Sequence, residues 1–263
     1  MTLNKEIADW KYTVLRVIFF CVCCALILIL FSPIAKNLPK PWGEILLGAI
    51  ATIAVFILTL IFARWEKLKL TDIGVIPVKQ TSRLFIYGFG IGLFLAIVQG
   101  LSVVAFSNSK LVYVLQPSYL SILLNLFLYL ILALREELAF RGYALRSLAY
   151  AIGSWKAQLI IATIFSLEHL AGGYTFKQAF LGAGIGAILF GITALKSKGI
   201  ALPAGIHAAW NFGQWSIGFK NEPGVWQVIV EKGYETEFEN ISFYFYLLVM
   251  ILAIASFYFY KPK

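Results

Sequence analysis

Eight long apolar runs divide this 263-residue chain, at about 12–34, 45–62, 84–106, 119–134, 155–170, 176–195, 200–217 and 241–260. A bilayer core of about 30 Å takes roughly 20 apolar residues per helix. Inside that core every backbone N–H and C=O must be satisfied within its own segment, which leaves helices as the solution for runs of this length. The expected fold is therefore all-α: a polytopic bundle of about eight transmembrane helices in a single integral membrane domain, residues 1–263. Composition excludes the soluble alternatives. Only 13% of residues are charged and 60% are hydrophobic, whereas a soluble domain carries about 25% charge.

The formal charge of +9 would point to nucleic acid in a soluble protein. Here basic residues in cytoplasmic loops explain it, and no nucleic-acid partner is expected. With eight spans and the N-terminus inside, sixteen of the 22 Lys and Arg fall on the inner side and six on the outer. The positive-inside bias thus predicts a multi-pass protein of the cell membrane with both termini cytoplasmic. The first run is too long for the apolar core of a signal peptide and lacks a small-residue cleavage site, so it reads as an uncleaved span. Cys21, Cys23 and Cys24 all lie within it and read as small packing residues, with S-palmitoylation a weaker alternative. Gly182, Gly184, Gly186 and Gly191 lie in mid-span. Gly182 and Gly186, a small-xxx-small pair, predict close helix packing there.

Ionisable groups within spans are costly and usually face a cavity or one another. Three clusters stand out: Glu136-Glu137-x-x-x-Arg141, Phe165-x-x-Glu168-His169, and His207-x-x-x-Asn211. The chain's only two histidines fall in them. Residues four apart share a helix face, so Glu137 and Arg141 form an expected structural ion pair, leaving Glu136 to point elsewhere. His207 and Asn211 also share a face, as do Phe165 and His169. The fourth run continues in helical pattern to about Leu148. At 1.5 Å per residue that puts Glu136 about 18 Å deep, His169 about 21 Å, His207 about 10 Å and Asn211 about 16 Å, close enough for the four to meet.

A carboxylate beside an imidazole in an apolar pocket can deprotonate a water, and an imidazole and a carboxamide one turn apart can hydrogen-bond an oxyanion. The set suits amide hydrolysis. Ser166 has no Asp near it to complete a triad. The same atoms, His169, His207 and Glu136, are an alternative zinc site with an open position, although no H-E-x-x-H motif occurs and the inverted motif is broken at Phe165. Metal-free chemistry, with no cofactor, is the favoured expectation. Glu168 reads as a supporting hydrogen-bond partner.

In order, spacing and span, E-E-x-x-x-R, F-x-x-x-H and H-x-x-x-N resemble the three motifs of the CPBP family, the Abi-type intramembrane proteases related to the type II CAAX prenyl endopeptidase. The resemblance covers residues 119–218, the expected catalytic core. It implies an endopeptidase acting on a membrane-associated peptide or protein, prenylated or not. Glu136 and His169 would activate the water, His207 and Asn211 would form the oxyanion hole, and Glu137, Arg141 and Phe165 would support them. Bacterial members are also linked to bacteriocin processing and self-immunity. Two other classes stay open: a non-catalytic scaffold or immunity protein that keeps the fold, and a proton-coupled transporter using the Glu/His cluster as a relay. Paired broken helices in two repeated halves would favour the transporter, and none is evident. A haem held by the two histidines is a further outside alternative.

Overall fold

A computed structural model describes residues 10–220 and 222–260. Lys5, Lys261 and Lys263, which entered the charge tally, lie outside them. The chain forms α1 (Trp10–Lys36), α2 (Trp42–Trp65), α3 (Thr81–Phe106), β1 (Ser109–Tyr113) and α4 (Tyr119–Glu137). After α4 come a π-helical segment, Leu138–Ala144, then α5 (Leu145–Ile152) and α6 (Ser154–Ala171). A second π-helical segment, Lys177–Ala183, leads into α7 (Gly184–Ser197), followed by α8 (Ala201–Ser216), β2 (Trp226–Val230) and α9 (Glu235–Phe259).

Among the described residues five helices are long and apolar enough to cross a bilayer: α1, α2, α3, the continuous Lys177–Ser197, and α9. They expose large apolar side chains such as Leu30, Ile53, Phe94, Leu101 and Leu252, a surface that lipid solvates and water does not. The protein is an all-α integral membrane protein. Of the eight expected runs, the three outside this set are α4, α6 and α8, with 19, 18 and 16 residues. These are the helices that carry the polar motifs. α8 compensates by burial in protein: Leu202 to Trp210 are all buried.

Helix α8 is held most tightly against α3 by glycine. A Cβ on Gly88 would collide with the Leu202 carbonyl, one on Gly92 with the Ile206 carbonyl, and one on Gly205 with the Phe85 carbonyl. Close backbone approach of this kind drives helix association where the solvent is as apolar as the side chains. Of the expected pair, a Cβ on Gly182 would meet nothing within 4 Å and one on Gly186 would lie 3.5 Å from the Tyr246 hydroxyl of α9, which donates to the Gly182 carbonyl at 2.6 Å. The close approaches in that region fall instead at Gly184 and Gly191, against Ser166 and Gln158 of α6. A buried polar chain adds directionality: Gln214 Nε2 of α8 donates to Gln99 Oε1 of α3 at 2.8 Å, and Gln99 Nε2 donates to the Ser242 carbonyl of α9 at 3.2 Å.

Two departures from the sequence reading affect the site. First, the fourth run is not one straight helix to Leu148. It leaves α-helical geometry after Glu137 and kinks at Gly142 (ψ −112°), and Gly153, at φ +86°, then reverses the chain into α6 with a backbone that favours glycine. Second, β1 and β2 pair antiparallel, Leu111 opposite Val228, tying the connection before α4 to the one after α8.

Candidate active site

The site assembles where α4, the first π-helical segment, α6 and α8 meet. Glu137 and Arg141 are fully buried. Their ion pair is 3.5 Å, Arg141 Nε to Glu137 Oε2, without hydrogen-bond geometry. Arg141 is held mainly by what surrounds its plane. Its guanidinium carbon lies 4.7 Å from the Phe165 ring centre and 5.4 Å from that of Phe190, and Nη2 donates to the Ala187 carbonyl at 3.3 Å. Cation–π contact in a desolvated setting stabilises the guanidinium by about 2 kcal/mol. Phe165 thus serves two partners, since its ring also lies 4.4 Å from that of His169.

Glu137 does more than balance Arg141. Its Oε1 lies 2.9 Å from His207 Nδ1, while His207 Nε2 faces Glu136 Oε2 at 3.6 Å. Whichever nitrogen carries hydrogen meets a carboxylate. Phe190 stacks on the His207 ring, centroids 4.4 Å apart and planes at 13°. The imidazole is therefore fixed in plane and in rotation.

Glu136 is mostly enclosed, its side chain 12% exposed. Its Oε1 is 2.6 Å from Arg135 Nη2. Arg135 in turn donates from Nη1 to Glu168 Oε1 of α6 at 2.8 Å. By sequence alone Arg135 is one of the sixteen inner-side basic residues, set apart by lying in the helical continuation of the fourth run. The signal that could have found it is its place beside the Glu-Glu pair, within a span, with an otherwise unmatched intramembrane Glu168 elsewhere. Glu168 is indeed a hydrogen-bond partner, of that arginine.

His169 makes no hydrogen bond or ion pair with Glu136 among the described residues. Its Nδ1 lies 2.9 Å from the Phe165 carbonyl. A carbonyl only accepts, so Nδ1 carries the hydrogen and a neutral ring keeps a lone pair on Nε2. Tyr174, just beyond α6, sets its ring edge against His169 at 5.1 Å. Burial, with the Glu136 carboxylate adding to it, pushes the Tyr174 phenol up from its ordinary value. Among the described residues Asn211 bonds to neither histidine; Lys220 Nζ donates to its Oδ1 at 2.9 Å. Lys220 was not foreseen as a site residue. It lies in the turn after α8, and Glu136 acts on its ammonium too.

The zinc alternative does not fit this arrangement. Among the described residues no three His, Cys, Asp or Glu side chains converge as a metal would require, and both His207 nitrogens already face carboxylates.

No curated protein matches the chain. Residues 118–213 match the family model described as type II CAAX prenyl endopeptidase Rce1-like. That segment, which carries all three polar clusters, is similar to the CAAX-type intramembrane proteases that the family model describes.

Proposed function

We propose that the protein is an intramembrane endopeptidase that hydrolyses a peptide bond of a membrane-associated peptide or protein with water activated by Glu136 and His169. The observation that carries the reading is the disposition of Glu136. One oxygen is anchored by Arg135, and the other is turned toward His207 on a different helix. A carboxylate fixed at one oxygen and available at the other is what a general base needs.

In the reaction, water oxygen bonds the scissile carbonyl carbon as a proton passes to Glu136, with the His169 Nε2 lone pair accepting the water's other hydrogen. The carbonyl π pair moves to oxygen, and the oxyanion accepts hydrogen bonds from Asn211 Nδ2 and from Nε2–H of His207, which carries hydrogen on both ring nitrogens in this step because Nδ1 donates to Glu137. Collapse breaks the C–N bond, and the leaving amine takes the proton held by Glu136. Glu137 orients His207, Arg141 neutralises Glu137, and Phe165 packs both Arg141 and His169. The catalytic core is residues 119–218, within one integral domain, and both termini are cytoplasmic. Protection of cysteines introduced beside Trp10 and Tyr260 from an impermeant thiol reagent in intact cells supports that orientation, and labelling of either overturns it.

The test of the activity compares membrane peptidomes from cells carrying wild type, Glu136→Gln and His169→Ala at equal expression. A peptide present with wild type and absent with both variants is the expected product. Identical peptidomes, with normal accumulation of the variants, reject the reading.

A further inference from the structure

Helix α8 ends in a geometry that returns the chain toward the site. Gly218 is at φ +80°. Its N–H bonds the Trp215 carbonyl at 2.9 Å, and the Phe219 N–H bonds the Gln214 carbonyl at 2.8 Å. This is a Schellman termination, which closes a helix on a left-handed residue and fixes the exit direction. A Cβ on Gly218 would lie 2.9 Å from the Trp226 carbonyl at the start of β2, so β2 bounds the turn on its other side. Two residues on, Lys220 reaches back nine positions to Asn211. Its Nζ also lies 5.9 Å from the ring centre of Tyr129 on α4. The stem is at the surface, while the ammonium lies between the two helices that carry Asn211 and Glu136.

An ammonium has three donors and no acceptor, whereas a carboxamide has one end of each kind. The atom of Asn211 that meets Lys220 must be Oδ1, and this leaves Nδ2 as the end free to turn elsewhere. A charged donor on Oδ1 also draws electron density from the amide and strengthens its N–H groups as donors. We propose that Lys220 is a positioning residue for Asn211, fixing the carboxamide so that its NH2 is the end presented to the developing oxyanion. The inference rests on the reading of Asn211 as an oxyanion donor and adds the group that sets its orientation.

Two measurements on the full-length protein separate the inference from that reading. The first needs no substrate: side-chain amide NMR of 15N-Asn-labelled protein in detergent, with the Asn211 signals identified by their loss in Asn211→Ala. The Asn211 pair is expected to move in Lys220→Met and to return toward its wild-type position in Lys220→Arg. Signals unmoved by Lys220→Met overturn the inference even if the enzyme is active. The second is turnover of the Glu136-dependent peptide. Lys220→Met is expected to lower kcat about tenfold with KM unchanged, less than the hundred- to thousandfold typical when an oxyanion donor is lost outright. Adding Lys220→Met to Asn211→Ala should cost nothing more, and Lys220→Arg should recover most of the rate. Losses that multiply, or an unchanged kcat, overturn the positioning role. Full activity of Asn211→Ala rejects the oxyanion reading instead.

Discussion

His207 Nδ1 lies 2.9 Å from Oε1 of Glu137, so the carboxylate expected only to neutralise Arg141 also sets the rotation of a proposed oxyanion donor. Glu137 is 0% exposed, as is Arg141. Removing one member of a buried pair leaves an uncompensated charge, at a cost of about 3–5 kcal/mol, while replacing both with apolar residues is often neutral. Glu137→Ala should therefore lower thermal stability in detergent by that order, and Glu137→Leu with Arg141→Met should recover much of it. Proteolysis should stay lost in the double variant, because His207 has no orienting partner. An active double variant would mean that Glu137 serves the fold alone.

Arg135 and Glu168 are 33 residues apart and join α4 to α6 at 2.8 Å, with side chains 9% and 19% exposed. The same guanidinium holds Glu136. Glu168→Gln removes one ion pair, and Arg135→Gln removes two. A double-mutant cycle should give a coupling near 1–3 kcal/mol between them, as for contacting residues in one network. Turnover should fall further in Arg135→Gln than in Glu168→Gln, since only the first frees Glu136. Equal losses of turnover would confine Arg135 to bracing the two helices.

Much of this was legible because charge in a membrane is conspicuous. Glu136, Glu137, Arg141, His169, His207 and Asn211 declare themselves by being polar in apolar runs, and helical spacing pairs Glu137 with Arg141. The rest depends on tertiary placement. Arg135 and Glu168 meet only once α6 folds back, which spacing along one helix cannot reveal. Lys220 becomes a neighbour of Asn211 through the left-handed turn at Gly218. The kink after Glu137 was hidden because Gly142 is a tolerated residue in a helical pattern. The strands, five residues each, were too short to compete with the long runs around them.

Lys220 also gives a pH signature. Burial lowers its ammonium below the ordinary 10.5, against the opposing pull of Glu136, and Tyr129 and Asn211 are its other neighbours. In the window between the lowered value and 10.5 the unfolded chain binds the extra proton. Stability from this group therefore rises with pH there, while the charged donor on Asn211 is lost. Turnover should show an alkaline limb below the normal lysine range without loss of stability. Arginine does not titrate there, so Lys220→Arg should abolish the limb. A limb unchanged in that variant assigns it to another group.

The α3–α8 contact makes the last prediction, because it sets the depth of His207 and Asn211. A Cβ at Gly92 would collide with the backbone of Ile206, the residue before His207, and backbone cannot rotate aside as a side chain can. Overpacking costs about 1–3 kcal/mol even where side chains can adjust. Gly92→Val should exceed that range by displacing α8 as a unit, so thermal stability and turnover should fall together. Gly182→Ala, with nothing within 4 Å of the new methyl, should leave both unchanged or raise stability slightly, as a helical glycine is about 1 kcal/mol worse than alanine. The pair is measured by thermal unfolding in detergent alongside cleavage of the Glu136-dependent peptide. A tolerated Gly92→Val would mean that α8 is placed by its polar links through Gln99 and Gln214 and not by glycine contact with α3.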